Sequence, residues 1–526
     1  MLPTEFCEKQ TDSYIKSTTL DFRKEKGQIF TPTKVAQFMA KLIGEIHLEK
    51  IKILDPGAGT GILSCAVIEF LVSQKSVKEI KVDAYETDDR LISYLRNTFE
   101  FCSNWLKQKN ISFSYNINEE DFILSTAKML NKQEEYKIYD IIISNPPYFK
   151  IARDDPKAIA AREFVYGQPN IYSLFMGMGA KLLRDSGILV FITPRSYTAG
   201  FYFRAFRKKF FQNVKPEIVH IFESRKEAFK KDSVLQENII LKARKNHEVQ
   251  EVKISTSIGI NDLENSQIHK VPIDQILIKR NNDIIFRLPQ KITDNLILNI
   301  VDRWTGSLYK YNLKISTGPV IPFRVTEFIE NDFKKDDSNF VPLLWIHNVY
   351  AMEVRWPYNG NGKKEKGQLI EYNKETFKRG LVIENKNYVI LRRFSSKEQN
   401  RRLTAAPLLK NQLSKYKTIG IENHLNYIHR PGGSLLELEA VGLAALLNSC
   451  LLDRYFRISN GNTQVSATEI QEIPLPPLEI IKRIGEEISK LSYKPTLHEL
   501  DLIVMKTIGI DDEVIKIIKE GENGQD

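Results

Sequence analysis

DIIISNPPYFK, residues Asp140 to Lys150, runs three isoleucines straight into Asn-Pro-Pro-Tyr. The β-branched run Ile141–Ile143 predicts a buried strand. Pro146 and Pro147 have no N–H to give a central ladder, so the chain leaves the sheet there. In a doubly wound sheet, ligands bind outside the carboxyl ends of the strands. Asn145, the carbonyl of Pro146 and the ring of Tyr148 are therefore expected at the ligand edge. Proline pre-sets φ, which holds these groups rigidly.

Two acceptors, the Asn145 amide oxygen and the Pro146 carbonyl, suit a planar –NH₂ group. Such a nitrogen is a poor nucleophile because its lone pair is delocalised. Accepting its two hydrogens lets it pyramidalise as it attacks an electrophile. Tyr148 supplies a face on which a planar substrate stacks, a contact that contributes about 1–3 kcal/mol per base.

The flanking segments predict an α/β domain. Up to about residue 245, strand-like runs alternate with helical patterns: IKILDP then GILSCAVIEFLV, IKVDAYE then DDRLISYLRNTF, GILVFITP then FYFRAFRKKFF. That alternation argues for βαβ units and a mostly parallel sheet. ILDPGAGTG sets Asp55 at a strand end and Gly57, Gly59 and Gly61 in the turn before a helix. Glycines there let the backbone approach a ligand, and the helix start offers free N–H groups. The G-x-G-x-G spacing departs from the dinucleotide fingerprint, which counts against NAD. Glu86 ends the next strand, where a carboxylate can bind both hydroxyls of a ribose. Asp121 and Phe122 follow a third strand, an acid for an adenine amino group and a ring to pack on it. In GQIFTPTKVAQFMAKLI, Thr31 reads as an N-cap and Pro32 as the first helical residue.

Gly27-Gln28-Ile29-Phe30-Thr31-Pro32, DPGAGTG, YETDD, EDFIL and NPPY occur in this order. The series resembles the gamma arrangement of adenine-N6 DNA methyltransferases from type II restriction–modification systems, the Eco57I-like methylases. The resemblance implies a class I S-adenosylmethionine-dependent methyltransferase fold followed by a target recognition domain. It implies that Thr31, Asp55, Gly57, Gly59, Glu86, Asp121, Phe122 and Asn145 line the cofactor pocket. Asn145, Pro146 and Tyr148 are then expected to hold a flipped adenine, with Phe229 closing its other face. The implied cofactor is S-adenosyl-L-methionine, with no metal. The implied partners are double-stranded DNA and a separate restriction endonuclease. Methyltransferases acting on RNA bases or protein glutamine share the NPPY loop and are the alternative. A long basic domain after the loop favours DNA.

The 526 residues predict more than one domain. The expected division is 1–248 for cofactor binding and catalysis, 249–478 for target recognition, and 479–526 for a helical tail, with prolines 474, 476 and 477 at the last boundary. Lys and Arg number 76 against 66 Asp and Glu, a net charge of +10 that suits a polyanion partner. Arg392, Arg393, Arg401 and Arg402 in VILRRFSSKEQNRRL are candidate DNA contacts. Arg204, Arg207, Lys208 and Lys209 are candidates for tracking a backbone. ISTGPVIPFR and PLLWIHNVY resemble recognition-domain segments without revealing which bases are read. The four cysteines show no C-x-x-C spacing, so neither a zinc site nor a disulfide framework is expected. No apolar run approaches a membrane span, and the N-terminus lacks the apolar core of a secretory signal. A cytoplasmic monomer of bacterial or archaeal origin is expected. With Gly27 opening the first motif and only a short tail at the other end, methylation without cleavage is also expected.

Overall fold

The structure is a computed structural model that describes residues 1–131, 138–223, 237–280, 283–330, 339–358, 367–395, 399–459 and 464–523. The chain forms two compact units, Met1–Gln290 and Lys291–Asp526.

The first unit is built on β1 (Lys50–Pro56), β2 (Glu79–Tyr85), β3 (Ser112–Asn118), β4 (Tyr139–Ser144), β5 (Leu183–Pro194), β6 (Val214–Phe222), β7 (Asn238–Lys245), β8 (Glu251–Ser257) and β9 (Gln267–Pro272). They form one sheet in the order β3-β2-β1-β4-β5-β7-β6-β8-β9. β3 through β5 are mutually parallel, and β7 enters antiparallel between β5 and β6. The helices are α1 (Pro3–Ser17), α2 (Leu20–Glu25), α3 (Thr33–Lys41), α4 (Ile62–Ser73), α5 (Asp89–Lys107), α6 (Phe122–Asn131), α7 (Pro156–Ala160), α8 (Ile171–Leu182) and α9 (Arg204–Asn213).

β4 shows why the isoleucine run is unbroken. Ile141 and Ile143 pack into the core beneath α3, α4 and α5, whereas Ile142 packs into the opposite core with α6, α8 and α9. A strand covered on both faces needs no polar alternation. This is the class I methyltransferase type of α/β fold expected from the sequence. Strand order reverses between β1 and β4, both of which run parallel. That switch point opens a crevice outside their carboxyl ends. The glycine turn leaves β1 and the NPPY loop leaves β4, so both border it.

The expected boundary at 248/249 lies too early. Val252, Ile254 and Val271 of β8 and β9 are fully buried in the same core as α8 and α9, and they extend the sheet. β8 alternates exposed and buried residues at its start and the edge strand β9 is mostly exposed, which gives them a different sequence character from the central strands.

In the second unit, one sheet pairs Lys314–Thr317, Leu425–His429, Tyr388–Arg392 and Ala405–Leu408. A second pairs Ile329–Glu330, Leu369–Glu371, Phe340–Leu344, Thr418–Ile421 and Val382–Glu384. The expected tail is helical, at Leu478–Ser489, Leu497–Ile508 and Asp512–Asn523. It is not a separate element: Ile481, Ile484, Val504, Met505 and Ile518 share one core with Leu443, Leu447 and Leu451. Helix Glu437–Asn448 meets helix Leu478–Ser489 at Gly442 and Gly485. A Cβ on Gly442 would lie 1.8 Å from the Ile481 carbonyl, so only glycine permits that crossing. No helix among the described residues is long and apolar enough to cross a membrane.

Candidate active site

β1 ends at Pro56, and the chain turns through Gly57, Gly59 and Gly61 at φ +77°, +58° and +94°. Residues other than glycine rarely adopt this left-handed region, so the spacing of the motif follows from the turn itself. The turn is held from below. Gly57 N and Ala58 N donate to the Tyr85 carbonyl, each at 2.9 Å. Glu86 accepts from Gly59 N at 2.9 Å through one oxygen, and from Thr87 N and Asp88 N through the other. Burial raises the Glu86 carboxyl above its ordinary range, and these N–H groups oppose the rise. The oxygen that accepts from Gly59 N keeps a further lone pair for a ligand hydroxyl.

Asp55 is fully buried at the end of β1. Its Oδ2 accepts from Ser64 Oγ at 2.7 Å, while Oδ1 has no hydrogen-bond partner. Burial pushes this carboxyl up to about 7. A buried acceptor without a donor is costly, and this one belongs to the strand that leads into the glycine turn.

The NPPY loop is fixed to both neighbours. Ser144 Oγ donates to the Pro56 carbonyl at 2.6 Å, which ties the end of β4 to the end of β1. Asn145 Nδ2 donates to the Ile29 carbonyl and to Thr31 Oγ1, each at 3.0 Å. The Ile29 carbonyl can only accept, so the amide orientation is set and Oδ1 points the other way. Oδ1 accepts from the Tyr148 hydroxyl at 2.5 Å, and that hydroxyl also lies 3.0 Å from the Ile192 carbonyl. Burial holds the Tyr148 phenol well above its ordinary value, so it stays a donor. Pro146 is buried, and the Tyr148 ring is half-buried with an edge contact to Tyr172.

Thr31 thus meets Asn145 instead of capping a helix. α3 begins at Thr33 with Pro32 in the cap position, one residue later than the sequence suggests. Gly27 opens this segment at φ +65°, where a Cβ would lie 2.8 Å from the Phe149 ring. The expected order of motifs therefore reflects contact: GQIFTP packs on NPPYF.

Asp121 follows β3 as expected, but its Oδ1 accepts from Ile123 N and Leu124 N and so caps α6. Phe122 is buried between Tyr85 and Phe175, with centroids 5.2 and 5.1 Å away. Phe175 on α8 was not foreseen. A Cβ on Gly57 would meet its ring at 3.7 Å, and one on Gly59 would meet Phe30 at 3.8 Å, so two aromatic rings flank the glycine turn. Tyr14 was also missed. Its hydroxyl and Gln28 Nε2 both donate to Asp88 Oδ2, at 3.2 and 2.6 Å, joining α1 and GQIFTP to the segment after β2. Phe229 lies outside the described residues.

The basic runs are placed differently from the expectation. Arg207 is 0% exposed. It pairs with Asp283 and donates to the carbonyls of Tyr197 and Gly200 at 3.0 and 2.7 Å, so it joins α9 to its surroundings and tracks no backbone. Arg204 stacks on Tyr166, while Lys208 and Lys209 are exposed. Arg402 is 1% exposed beside Phe456, and Arg401 donates to the buried Asp501 at 2.7 Å. Both therefore hold the second unit together. Arg392 and Arg393 are half-buried and donate to the carbonyls of Val349 and Asn423.

Residues 41–229 match the Eco57I restriction-modification methylase family. The type II methyltransferase M.PstI of Providencia stuartii is 31% identical over 495 residues, covering 94% of this chain and 95% of the relative. M.BsuBI of Bacillus subtilis is 33% identical over 491 residues, covering 91% and 94%. A tRNA1(Val) (adenine(37)-N6)-methyltransferase of Shewanella sediminis is 29% identical over 149 residues, covering 28% of this chain and 54% of that protein. With a methyltransferase sheet, a glycine turn and an NPPY loop at one crevice, and with identity sustained along nearly the whole of two relatives, the chain belongs to the type II DNA methyltransferases of restriction–modification systems.

Proposed function

We propose that the chain transfers a methyl group from S-adenosylmethionine to N6 of an adenine flipped out of duplex DNA. The observation that carries this reading is Asn145. Its Oδ1 accepts one hydrogen bond, from Tyr148, and an amide oxygen has a second lone pair. That lone pair, with the Pro146 carbonyl, makes an acceptor pair for the two hydrogens of a planar amine.

The residues at the crevice fit the cofactor. The unpartnered Asp55 Oδ1 suits a ligand that brings donors or positive charge, the left-handed glycine turn leaves room for a ligand against the backbone, and Glu86 suits a ribose. Asp55, Gly57, Gly59, Glu86, Asp121 and Phe122 are the residues proposed to hold it, with Thr31 and Asn145 at the border to the substrate. When bound, S-adenosylmethionine supplies a methyl group made electrophilic by a positively charged sulfur.

The chain's own residues do the rest. Extruding the base costs a few kcal/mol of pairing and stacking, and stacking on Tyr148 offsets part of it. Phe229 is the proposed second face. Asn145 Oδ1 and the Pro146 carbonyl accept hydrogen bonds from the N6 hydrogens, which draws the nitrogen lone pair out of conjugation with the ring. Alignment of the two reactants is then the main contribution. A newly methylated N6 is acidic, so its proton leaves without a strong base.

Arg392 and Arg393 remain candidate DNA contacts in a second unit that reads the sequence. A separate endonuclease and a monomeric state complete the proposal. The tRNA methyltransferase relative keeps RNA as the competing substrate, although that protein's target atom is also adenine N6. Tritiated cofactor offered with duplex DNA, ribosomal RNA or release factor tests the reading: label is expected in DNA alone, and label confined to RNA or protein overturns it. Methylation-aware sequencing of DNA from an expressing host then gives the base and its context.

A further inference from the structure

In the second unit, the segments ISTGPVIPFR (residues 315–324) and PLLWIHNVY (residues 342–350) converge on one cavity of about 530 Å³. That volume lies within the range of small-molecule sites. Pro322, Phe323 and Trp345 form its apolar walls, and Glu422, Asn423 and His424 line it from the turn after strand Thr418–Ile421. Backbone bonds lock this turn to both segments: Glu422 N donates to the Leu344 carbonyl at 3.0 Å, and Asn423 N to the Val320 carbonyl at 2.9 Å. Trp345 Nε1 already donates to the Gly367 carbonyl at 2.6 Å, so the indole offers the cavity a face and no donor. Phe323 is 76% exposed, an apolar ring standing at the opening with no burial to explain it.

Four polar side chains line the cavity, Thr326, Glu422, Asn423 and His424, and two of them hold unsatisfied acceptors. Glu422 is 0% exposed; its Oε1 meets His424 Nδ1, and its Oε2 is buried without a partner. Asn423 Oδ1 is also buried without a partner. Buried acceptors normally find donors, and leaving one unsatisfied costs about 1–3 kcal/mol. Two neighbouring unsatisfied acceptors therefore call for a ligand that donates. No lysine or arginine lines the cavity among the described residues, so phosphate is not the group that fits. Acceptors beside aromatic faces fit a planar amine-bearing ring. In DNA this is the exocyclic amino group of cytosine or adenine, which Glu and Asn side chains read.

We propose that this cavity is a base-reading site, in which Glu422 or Asn423 accepts the amino hydrogen that pairing leaves free in the major groove on a cytosine or adenine of the target sequence, other than the methylated base, while Phe323 makes an apolar contact beside that base edge. The assignment rests on the DNA-methylation reading above and names residues that set sequence specificity.

The test uses the full-length protein and a duplex carrying the motif found by sequencing. Each cytosine or adenine outside the methylated base is replaced in turn by 2-pyrimidinone or purine, which lack the amino group. For the wild type, one position is expected to lose about tenfold or more in kcat/KM, and the base at that position says whether cytosine or adenine is read. In Glu422→Gln, the same replacement is expected to cost less than about threefold, since the acceptor it served is already altered. Phe323→Ala changes an exposed ring that the fold does not need, and it is expected to weaken the same discrimination. The proposal is overturned if no amino deletion outside the methylated base matters, or if the wild-type penalty persists undiminished in both variants. A wild-type protein that labels RNA or protein and not DNA overturns this proposal and the functional reading together, whereas failure of the pocket alone leaves DNA labelling intact.

Discussion

The Tyr148 hydroxyl donates to Asn145 Oδ1 at 2.5 Å, so the residue proposed to offer a stacking face also steers the amide proposed to hold the amine. A phenol has one hydrogen, and here it has two acceptors within reach, Asn145 Oδ1 and the Ile192 carbonyl. When it turns to Ile192, Oδ1 has both lone pairs available to an incoming N–H.

That coupling separates two variants. Tyr148→Phe keeps the ring and loses the hydroxyl; kcat is expected to fall about tenfold, the value of roughly one hydrogen bond, with DNA affinity nearly unchanged. Tyr148→Ala removes the ring as well, and DNA binding is expected to weaken by about 1–3 kcal/mol. Single-turnover methylation and equilibrium DNA binding measure the two effects separately.

Asn145→Ala removes both the acceptor and the Nδ2 contacts to Ile29 and Thr31. Methyl transfer is expected to fall by about 100- to 1,000-fold or more, as when a preorganised polar group at a reacting atom is lost. Cofactor affinity by calorimetry is expected to stay within a few-fold. Activity near that of the wild type would show the loop to be structural.

Asp55 predicts a pH effect on the cofactor-free protein. Burial holds its carboxyl at about 7, against an ordinary value of 3.8. Between these values the native state keeps a proton that the unfolded chain has released, so this group lowers stability as pH rises from about 4 to 7. The loss is on the order of 4 kcal/mol and is complete above the upper value. Asp55→Asn keeps an acceptor for Ser64 and removes the titration. Thermal unfolding at a series of pH values is expected to show a smaller decline above pH 4 for the variant, and a higher Tm than the wild type at pH 8.

Arg207→Ala removes a fully buried guanidinium and strands the part-buried Asp283 carboxylate. Stability by urea unfolding is expected to drop by about 3–5 kcal/mol. The dependence of DNA affinity on salt is expected to keep its slope, because no phosphate contact is lost. A shallower slope with unchanged stability would return Arg207 to the DNA surface.

What the sequence revealed was what is local. Pro146 and Pro147 end a strand wherever they occur, and the glycine turn carries its own backbone requirement at Gly57, Gly59 and Gly61. Partnership at a distance was not legible. Thr31 reads as a helix cap because its nearest neighbours in the chain allow one, whereas its actual partner, Asn145, is 114 positions away. The arginines misled for the same reason. A basic run has the same composition whether it faces solvent or a buried acid, and the acids that neutralise Arg207 and Arg401 lie 76 and 100 positions off. Phe175 carried no signal because one ring in a buried helix looks like any other core residue. The second unit was least legible, since its sheets pair segments far apart in the chain, such as Lys314–Thr317 with Leu425–His429.

The glycine crossing at Gly442 and Gly485 sets an order of events during synthesis. The helices that complete the second core, ending with Ile518, are made after the rest of that core. Until they emerge from the ribosome, Leu443 and Leu447 on helix Glu437–Asn448 have only part of their packing partners. A nascent chain therefore completes the unit proposed to read DNA only after every residue of Met1–Gln290 has been made.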